Sequence, residues 1–341
     1  MLWILIKEVK CNMLYIDNKS NDPYYNMALD EYVVKYLDAS KDYFYFYQNR
    51  PTVVIGRNQN TIEEVNLDYV KKHDIIVVRR MSGGGAVYHD MGNINFSFVV
   101  DYRKEDFNSM ERFAKAIVKA LSKFGINPEF SGRNDITIDG KKFSGNAQYV
   151  TRNRILHHGT LLFDSDLTVL SKALNVKPEK IRSKGIKSVK SRVANIKEYL
   201  PDKNVTVSQF KQMLLNYVFE VEGVELQEYR LTPEDMEQIM RLRDEKYSTW
   251  EWNVGSSPEF DLIRSTRFSG GEVQVHMNVR DGIITDIRFY GDFMSIRDVS
   301  ELEEKLKGQK FKQGDIKEVL SQIDIKEYFG FISLEELLSL F

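Results

Sequence analysis

Residues 75–100 constrain this chain more than any other stretch. They read Ile75-Ile76-Val77-Val78, then Arg79-Arg80-Met81-Ser82-Gly83-Gly84-Gly85-Ala86-Val87-Tyr88-His89-Asp90, then Met91-Gly92-Asn93-Ile94-Asn95-Phe96-Ser97-Phe98-Val99-Val100. Apolar, strand-favouring runs on both sides of a glycine cluster predict strand, glycine-rich turn, strand. Glycine admits positive φ and lets a backbone approach a ligand closely. Successive backbone N–H groups in such a turn make a concavity that binds anions. Two guanidinium groups beside it add bidentate recognition of phosphate or carboxylate. The expectation is an anionic group over Arg80 and Gly83–Gly85. Three glycines alone are equally compatible with a plain hairpin; the arginine pair and His89-Asp90-x-Gly92-Asn93 favour a site. The pattern is neither of the two common glycine-rich nucleotide fingerprints.

The 341 residues suggest one large domain and a smaller one. With 42% hydrophobic residues the chain has ample material for a core. A formal net charge of −2 gives no global electrostatic case for nucleic acid or a membrane surface. Cys11 is the sole cysteine, so no internal disulfide is possible, which fits a reducing cytoplasm. Residues 1–12 open on Met1-Leu2-Trp3-Ile4-Leu5-Ile6, too short to span a bilayer and without a basic leader or cleavage site. Regular patterning begins at Met13, so 1–12 is read as an N-terminal extension. Repeats and low-complexity tracts are absent from the sequence.

Leu14-Tyr15-Ile16 reads as a short strand, and Asp22-Pro23 starts a helix whose apolar positions are Ala28, Leu29, Tyr32, Val33, Tyr36 and Leu37. Tyr43-Phe44-Tyr45-Phe46-Tyr47 is a strand with alternate rings on opposite faces, one set core and the other core or pocket wall. Thr52–Ile55 is a buried strand that breaks at Gly56-Arg57-Asn58-Gln59-Asn60, where site residues are often displayed. Glu63–Lys72 reads as one helix. Met110, Phe113, Ala114, Ile117, Val118 and Leu121 define an amphipathic helix ending at Gly125. Asp139-Gly140 between Asn134–Ile138 and Lys141–Phe143 is a two-residue hairpin signal. Lys142 thus lies on a strand, just before a small-residue break at Ser144–Ala147. Such a lysine is most often a solvated charge, but beside an anion site it can stabilise charge as it is transferred. His157 and His158 are adjacent on a strand and point to opposite faces, so one metal cannot easily take both. His73, His89 and His276 show no ligand spacing, and no zinc site is read.

Residues 177–197 carry eight Lys/Arg against one Glu: a solvated basic loop, a flap over an anionic ligand, or a docking patch for an acidic partner. Val207–Val221 is an amphipathic helix. A boundary falls near 230–255, with Thr232-Pro233 capping a helix to Tyr247. Beyond it Val273, Val275, Met277 and Val279 alternate, Asp281-Gly282 turns the chain, and Ile283–Tyr290 returns as the partner strand. Leu302–Leu306 and Leu334–Leu338 are helical.

Taken together these motifs resemble the lipoate–protein ligase family. The resemblance rests on Arg79-Arg80-x-Ser82-Gly83-Gly84-Gly85-Ala86-Val87-Tyr88-His89-Asp90-x-Gly92-Asn93, on Asn134-Asp135, on Lys142-x-Ser144-Gly145-x-Ala147 and on His157-His158-Gly159-Thr160-Leu161-Leu162. It rests also on Ser183-Lys184-Gly185-Ile186-x-Ser188-Val189-x-Ser191-Arg192-Val193-x-Asn195. It spans residues 13–341. The implied fold is α+β: a large α/β-type domain over 13–246, related to biotin and lipoate ligases, with mixed sheets flanked by helices. A small α+β accessory domain covers 247–341. The implied reaction joins lipoate and ATP, with Mg²⁺, to lipoyl-AMP, then passes the lipoyl group to a lysine of an acyl-carrier domain. Acceptors of that kind are 2-oxoacid dehydrogenase acyltransferase subunits and the glycine cleavage H protein.

Carried onto this sequence, the resemblance implies Lys142 as the catalytic lysine, bridging lipoyl carbonyl and phosphate. Lys141, on the other face, should be dispensable. For ATP and the adenylate it implies Arg80, Gly85, Ala86, Val87, Tyr88, Asn93, Asn134, Asp135, Lys142, Ser191 and Arg192, with Asp135 also on Mg²⁺. For lipoate it implies Tyr47, Val54, Gly56, Arg57, Arg80, Ser82, Gly83, Gly84, His89, Lys142, His158 and Gly159. The alternative is a lipoyl or octanoyl transferase, or an amidotransferase, of the same fold working between carriers without ATP. A cysteine-dependent transferase is unsupported, because Cys11 lies outside the resembling region.

Overall fold

A computed structural model of the chain describes residues 13–102, 110–131, 134–151, 153–175, 192–254 and 262–341. The N-terminal extension and most of the basic segment lie outside the described residues.

The first unit is built on an eight-stranded mixed sheet. Its strands are β1 (Met13–Tyr15), β2 (Asp42–Tyr47), β6 (Asn93–Asp101), β7 (Glu129–Ser131), β8 (Asp135–Ile138), β9 (Lys141–Val150), β10 (Arg154–Leu162) and β11 (Gln227–Glu228). Their order across the sheet is β11-β1-β2-β6-β10-β9-β8-β7, parallel at the β11-β1-β2 end and antiparallel beyond it. A second, three-stranded sheet has β3 (Thr52–Ile55) between β4 (Ile76–Arg79) and β5 (Val87–His89).

The alternation in β2 sorts the core. Phe44 and Phe46 face the helices Met110–Ser122 and Val207–Glu222, where Phe96, Phe113, Phe143 and Phe210 complete one apolar layer. Tyr43, Tyr45 and Tyr47 face the helix Pro23–Lys35, together with Met27, Leu29, Val33 and Leu156. Both faces are therefore buried, as a central strand requires. On the tyrosine face the register lines up Tyr45, Ser97, His158 and Ala147 in one row across four strands. Tyr47, Asn95 and Thr160 form the next row. His157 goes to the other face, stacked on Phe113 with ring centroids 4.8 Å apart.

Residues 75–100 do not form a hairpin. β4 pairs in parallel with β3, and β5 pairs antiparallel with the opposite edge of β3. The glycine loop thus carries the chain across the end of β3, and β6 then enters the large sheet. Glu63–Lys72, expected as one helix, is two, Thr61–Glu64 and Leu67–Lys72. Between them Val65 bridges to Leu174, and the Asn66 side chain caps the second helix by accepting from Tyr69 N–H. Ser144–Ala147, expected as a break, continues β9 after a bulge beside Lys142.

The second unit is an antiparallel meander, β12 (Leu262–Phe268), β13 (Gly271–Arg280) and β14 (Ile283–Gly291). It is backed by the helices Ser300–Leu306, Gln313–Ser321, Ile325–Phe329 and Leu334–Leu338. Asp281-Gly282 turns with φ of 51° and 73°, the two positive values a two-residue hairpin needs. The segment 247–253, which sequence assigned to this unit, packs on the first one. The Tyr247 hydroxyl donates to Glu31, and the Arg79 guanidinium donates to the Trp252 and Asn253 carbonyls. Among the described residues no helix is long and apolar enough to cross a membrane.

Candidate active site

A cavity of about 110 Å³ opens where the small sheet of the first unit meets the tyrosine face of the large one. Its walls bring together Tyr47, Val54, Arg80, Gly84, Gly85, Ala86, Val87, His89, Asn134, Lys142, His158 and Gly159, all expected from sequence. They also include Met27, Asn95, Gly145, Asn146, Ala147 and Thr160, which were not. Met27, Tyr47, Val54, Arg80, His89, Asn95 and His158 are buried parts of the wall, and we take them as its closed end. The mouth is formed by Gly85–Val87 and by Lys142, whose side chain is 37% exposed.

Lys142 owes its position to the bulge. Thr137 pairs with Lys142 and Ile136 with Ser144, so Phe143 is the extra residue. A bulge of this kind re-aims a neighbouring side chain. Lys142 Nζ lies 2.7 Å from Asp135 Oδ1, and Lys141 is exposed. The Lys142 backbone is also clamped: its N–H donates to the Arg192 carbonyl, and its carbonyl accepts from Ala194 N–H. Arg192 thus touches β9 through its backbone carbonyl; Ser191 lies outside the described residues.

The two arginines divide their work differently from expectation. Arg79 donates to the carbonyls of Gly56, Arg57 and Gln59 and to Thr61 Oγ1, tying the 56–61 turn to the 250–253 helix. Arg80 faces the cavity, and its Nη2 donates to the Gly83 and Gly85 carbonyls at 2.6 and 2.9 Å. It folds the glycine loop around itself. No carboxylate partners Arg80 among the described residues, and burial lowers its guanidinium to about 10. The cavity therefore carries an uncompensated buried positive charge, which an anion would relieve. Gly84 has φ +93°, and a Cβ on Gly56 would lie 1.9 Å from the Gly84 carbonyl oxygen. Gly56 serves loop packing and is not on the cavity wall.

Behind Arg80 runs a buried polar chain. Arg80 Nε donates to Ser82 Oγ at 3.0 Å, and Ser82 Oγ is hydrogen-bonded to His158 Nε2 at 2.6 Å. His158 Nδ1 then donates to Asp30 Oδ2 at 2.8 Å, and Asp30 Oδ1 accepts from Tyr45 and Ser97. Asp30 was not anticipated. Its signal was a carboxylate in the middle of an apolar helical run, costly unless paired.

Other expected residues are placed nearby rather than on the wall. Ser82 is one bond behind it, through Arg80 and His158. Gly83 packs against the second unit, where a Cβ would lie 2.5 Å from the Phe293 carbonyl oxygen. Arg57 pairs with Asp298 of that unit. Tyr88 is buried in the small sheet's own core, and Asn93 donates to Asn95, which does line the cavity. Asp135 is off the wall but holds Lys142, which is on it.

Residues 22–219 match the family described as the lipoyl protein ligase A/B catalytic domain, and residues 257–341 match the bacterial lipoate protein ligase C-terminus. The two matches define a two-unit acyl–protein ligase. The chain is 48% identical to lipoate-protein ligase LplJ of Bacillus subtilis over 330 residues, covering 96% of this chain and 99% of that protein. Among solved structures it is similar to a bipartite archaeal lipoate protein ligase, described with its E2 lipoyl domain, from Thermoplasma acidophilum. That likeness has 33% identity and a TM-score of 0.64 and covers 74% of this chain and 99% of that one. A lipoate-protein ligase A bound with ATP matches at 30% identity and TM-score 0.62, covering 72% and 99%. The chain belongs to the lipoate–protein ligase family.

Proposed function

We propose that the chain is an ATP-dependent lipoate–protein ligase. The lipoate carboxylate attacks the α-phosphorus of ATP, forming lipoyl-AMP and releasing pyrophosphate. A lysine amine of a lipoyl domain then attacks the lipoyl carbonyl, forming the amide and releasing AMP. The observation that carries this reading is Lys142 at the mouth of a buried, positively charged cavity. Lys142 is positioned to leave Asp135 for the carboxylate and phosphate oxygens, where its charge offsets the negative charge of both half-reactions. Arg80 and the half-exposed Gly85–Val87 backbone hold the nucleotide phosphate, Asn134 borders the adenylate, and the acyl chain lies in the closed end. Asp135 fits Mg²⁺ as a single carboxylate of the kind that holds this ion together with nucleotide phosphates. The ion would neutralise phosphate charge.

The naming of the Bacillus relative and the ATP-bound neighbour support the ATP-dependent route over transfer between carriers. The archaeal neighbour's description with an E2 lipoyl domain supports a lipoyl domain as acceptor, with dehydrogenase acyltransferase subunits and the glycine cleavage H protein as the expected carriers. Cytoplasmic residence accords with the single cysteine. Incubating the protein with ATP, Mg²⁺, lipoate and a purified lipoyl domain should add one lipoyl mass to one lysine of that domain. A mass gain without ATP would favour the transferase reading, and no gain would overturn both.

A further inference from the structure

Gly145 was not expected as a site residue, yet it lines the cavity together with Lys142. A glycine inside a strand weakens it and often marks the close approach of another group. The backbone does not call for glycine here, because the φ of Gly145 is not positive. The reason lies in the space above it. A Cβ at this position would lie 3.0 Å from Lys142 Nζ and 3.2 Å from Lys142 Cε. Among the described residues, its chain neighbours aside, no other group would come within 4 Å. The missing side chain leaves room for one thing, the end of the Lys142 side chain.

The bulge in β9 makes this meeting possible. Residues three apart on a regular strand point to opposite faces of the sheet. Here Thr137 pairs with Lys142, Ile136 with Ser144 and Asp135 with Gly145, so Phe143 is extra. Phe143 goes to the apolar layer on the far face, while Lys142 and Gly145 both line the cavity. The ammonium lies across the Asp135–Gly145 pair, 2.7 Å from Asp135 Oδ1. The Gly145 N–H donates to Thr160 Oγ1 at 3.1 Å, so that donor is already engaged.

We propose that Gly145 is a positioning residue for the adenylation: its bare Cα is the seat on which the Lys142 ammonium rests and from which it reaches the substrate oxygens. This rests on the ligase reading above. The backbone at Gly145 is held by Asp135 on one strand and Thr160 on another, whereas the lysine tip is flexible. A methyl placed on the seat therefore moves the ammonium and leaves the strand where it is. Comfortable contact between carbon atoms begins at about 3.5 Å. The tip must then shift by about 0.5 Å, which is the tolerance of a productive constellation. The consequence falls on rate and spares the fold.

The test is Gly145→Ala in the full chain, read by urea unfolding, by pyrophosphate release with lipoate, ATP and Mg²⁺, and by ligand binding. The urea midpoint should equal or exceed that of the wild type, because alanine has less freedom to lose on folding. Release should fall about tenfold. Binding separates a seat for lysine from room needed by a ligand. In Lys142→Ala protein no ammonium occupies the seat, so adding Gly145→Ala should leave the Kd for lipoate and for ATP unchanged within about twofold. Weaker binding in that double variant would show that a ligand itself uses the space, and would overturn the proposal. Release by Gly145→Ala within about twofold of wild type would overturn it too. So would failure of Gly145→Ala to fold, since the methyl meets only a flexible lysine tip. Each of these leaves the ligase reading standing; no release from folded wild type would overturn both.

Discussion

Lys142 Nζ and Asp135 Oδ1 lie 2.7 Å apart at the cavity mouth, each side chain a little over one-third exposed. A pair this exposed contributes about 1 kcal/mol or less. It parks the ammonium where substrate anions can take it over without a large penalty. Lys142→Ala should therefore lower lipoate-dependent pyrophosphate release by about a hundredfold or more, while stability in urea changes by no more than about 1 kcal/mol. Release within a few-fold of wild type would remove Lys142 from the chemistry, and Lys141→Ala should serve as the silent neighbour.

The chain from Arg80 through Ser82 and His158 to Asp30 orients the buried cation from behind. Asp30→Asn replaces one acceptor by a donor facing either His158 or the Tyr45 and Ser97 hydroxyls. We expect the KM for lipoate to rise about tenfold, with a stability loss of about 1–3 kcal/mol, and the KM for ATP to stay within about twofold. Equal increases in both KM values would mean a general loss of structure instead of a role in the acyl pocket.

Much of this was legible in the sequence because it follows from local chemistry. The Asp139-Gly140 and Asp281-Gly282 turns, the alternation of β13, and the opposed faces of His157 and His158 all appear where pattern puts them. The cavity wall was largely legible too, through motif residues. What escaped depends on partners distant in sequence. Nothing local shows that Arg79 is spent on residues 56–61 and 250–253, 18 or more positions away. Nor does local pattern show that β3 separates β4 from β5. Asp30 and Asn49 look like an ordinary helix carboxylate and a turn amide until the fold brings His158 and His89 to them.

The 250–253 helix gives a sharper truncation than a cut at the expected domain boundary. Asn253 Oδ1 accepts from Arg79 N–H, and the Asn253 carbonyl accepts from Thr61 Oγ1, inside the first unit. A chain ending after Val254 should express as soluble protein with a cooperative unfolding transition. One ending after Lys246 strips the partners of buried Arg79 and should be markedly less stable or insoluble. Equal stability of the two would show that the segment belongs with the second unit after all.

Buried His89 and His157 are both depressed to about 3, chiefly by desolvation. Unfolded, each binds a proton below about pH 6.5; folded, neither does until far lower. Their contribution is thus complete above about pH 6.5 and is lost as the pH falls towards 3. The loss is up to about 1.4 kcal/mol per pH unit for each ring. Urea midpoints between pH 7 and 5 should fall accordingly, and His157→Gln should make the slope about half as steep. A flat profile over that window would show that the rings titrate normally in the folded protein.

The central claim is that the chain activates free lipoate with ATP. Pyrophosphate release from ATP and Mg²⁺, with lipoate present and no acceptor protein, tests it most directly. We expect release that depends on lipoate, disappears in Lys142→Ala, and leaves lipoyl-AMP on the enzyme. Folded protein that releases none, yet moves a lipoyl group from one carrier domain to another, would contradict the ligase reading.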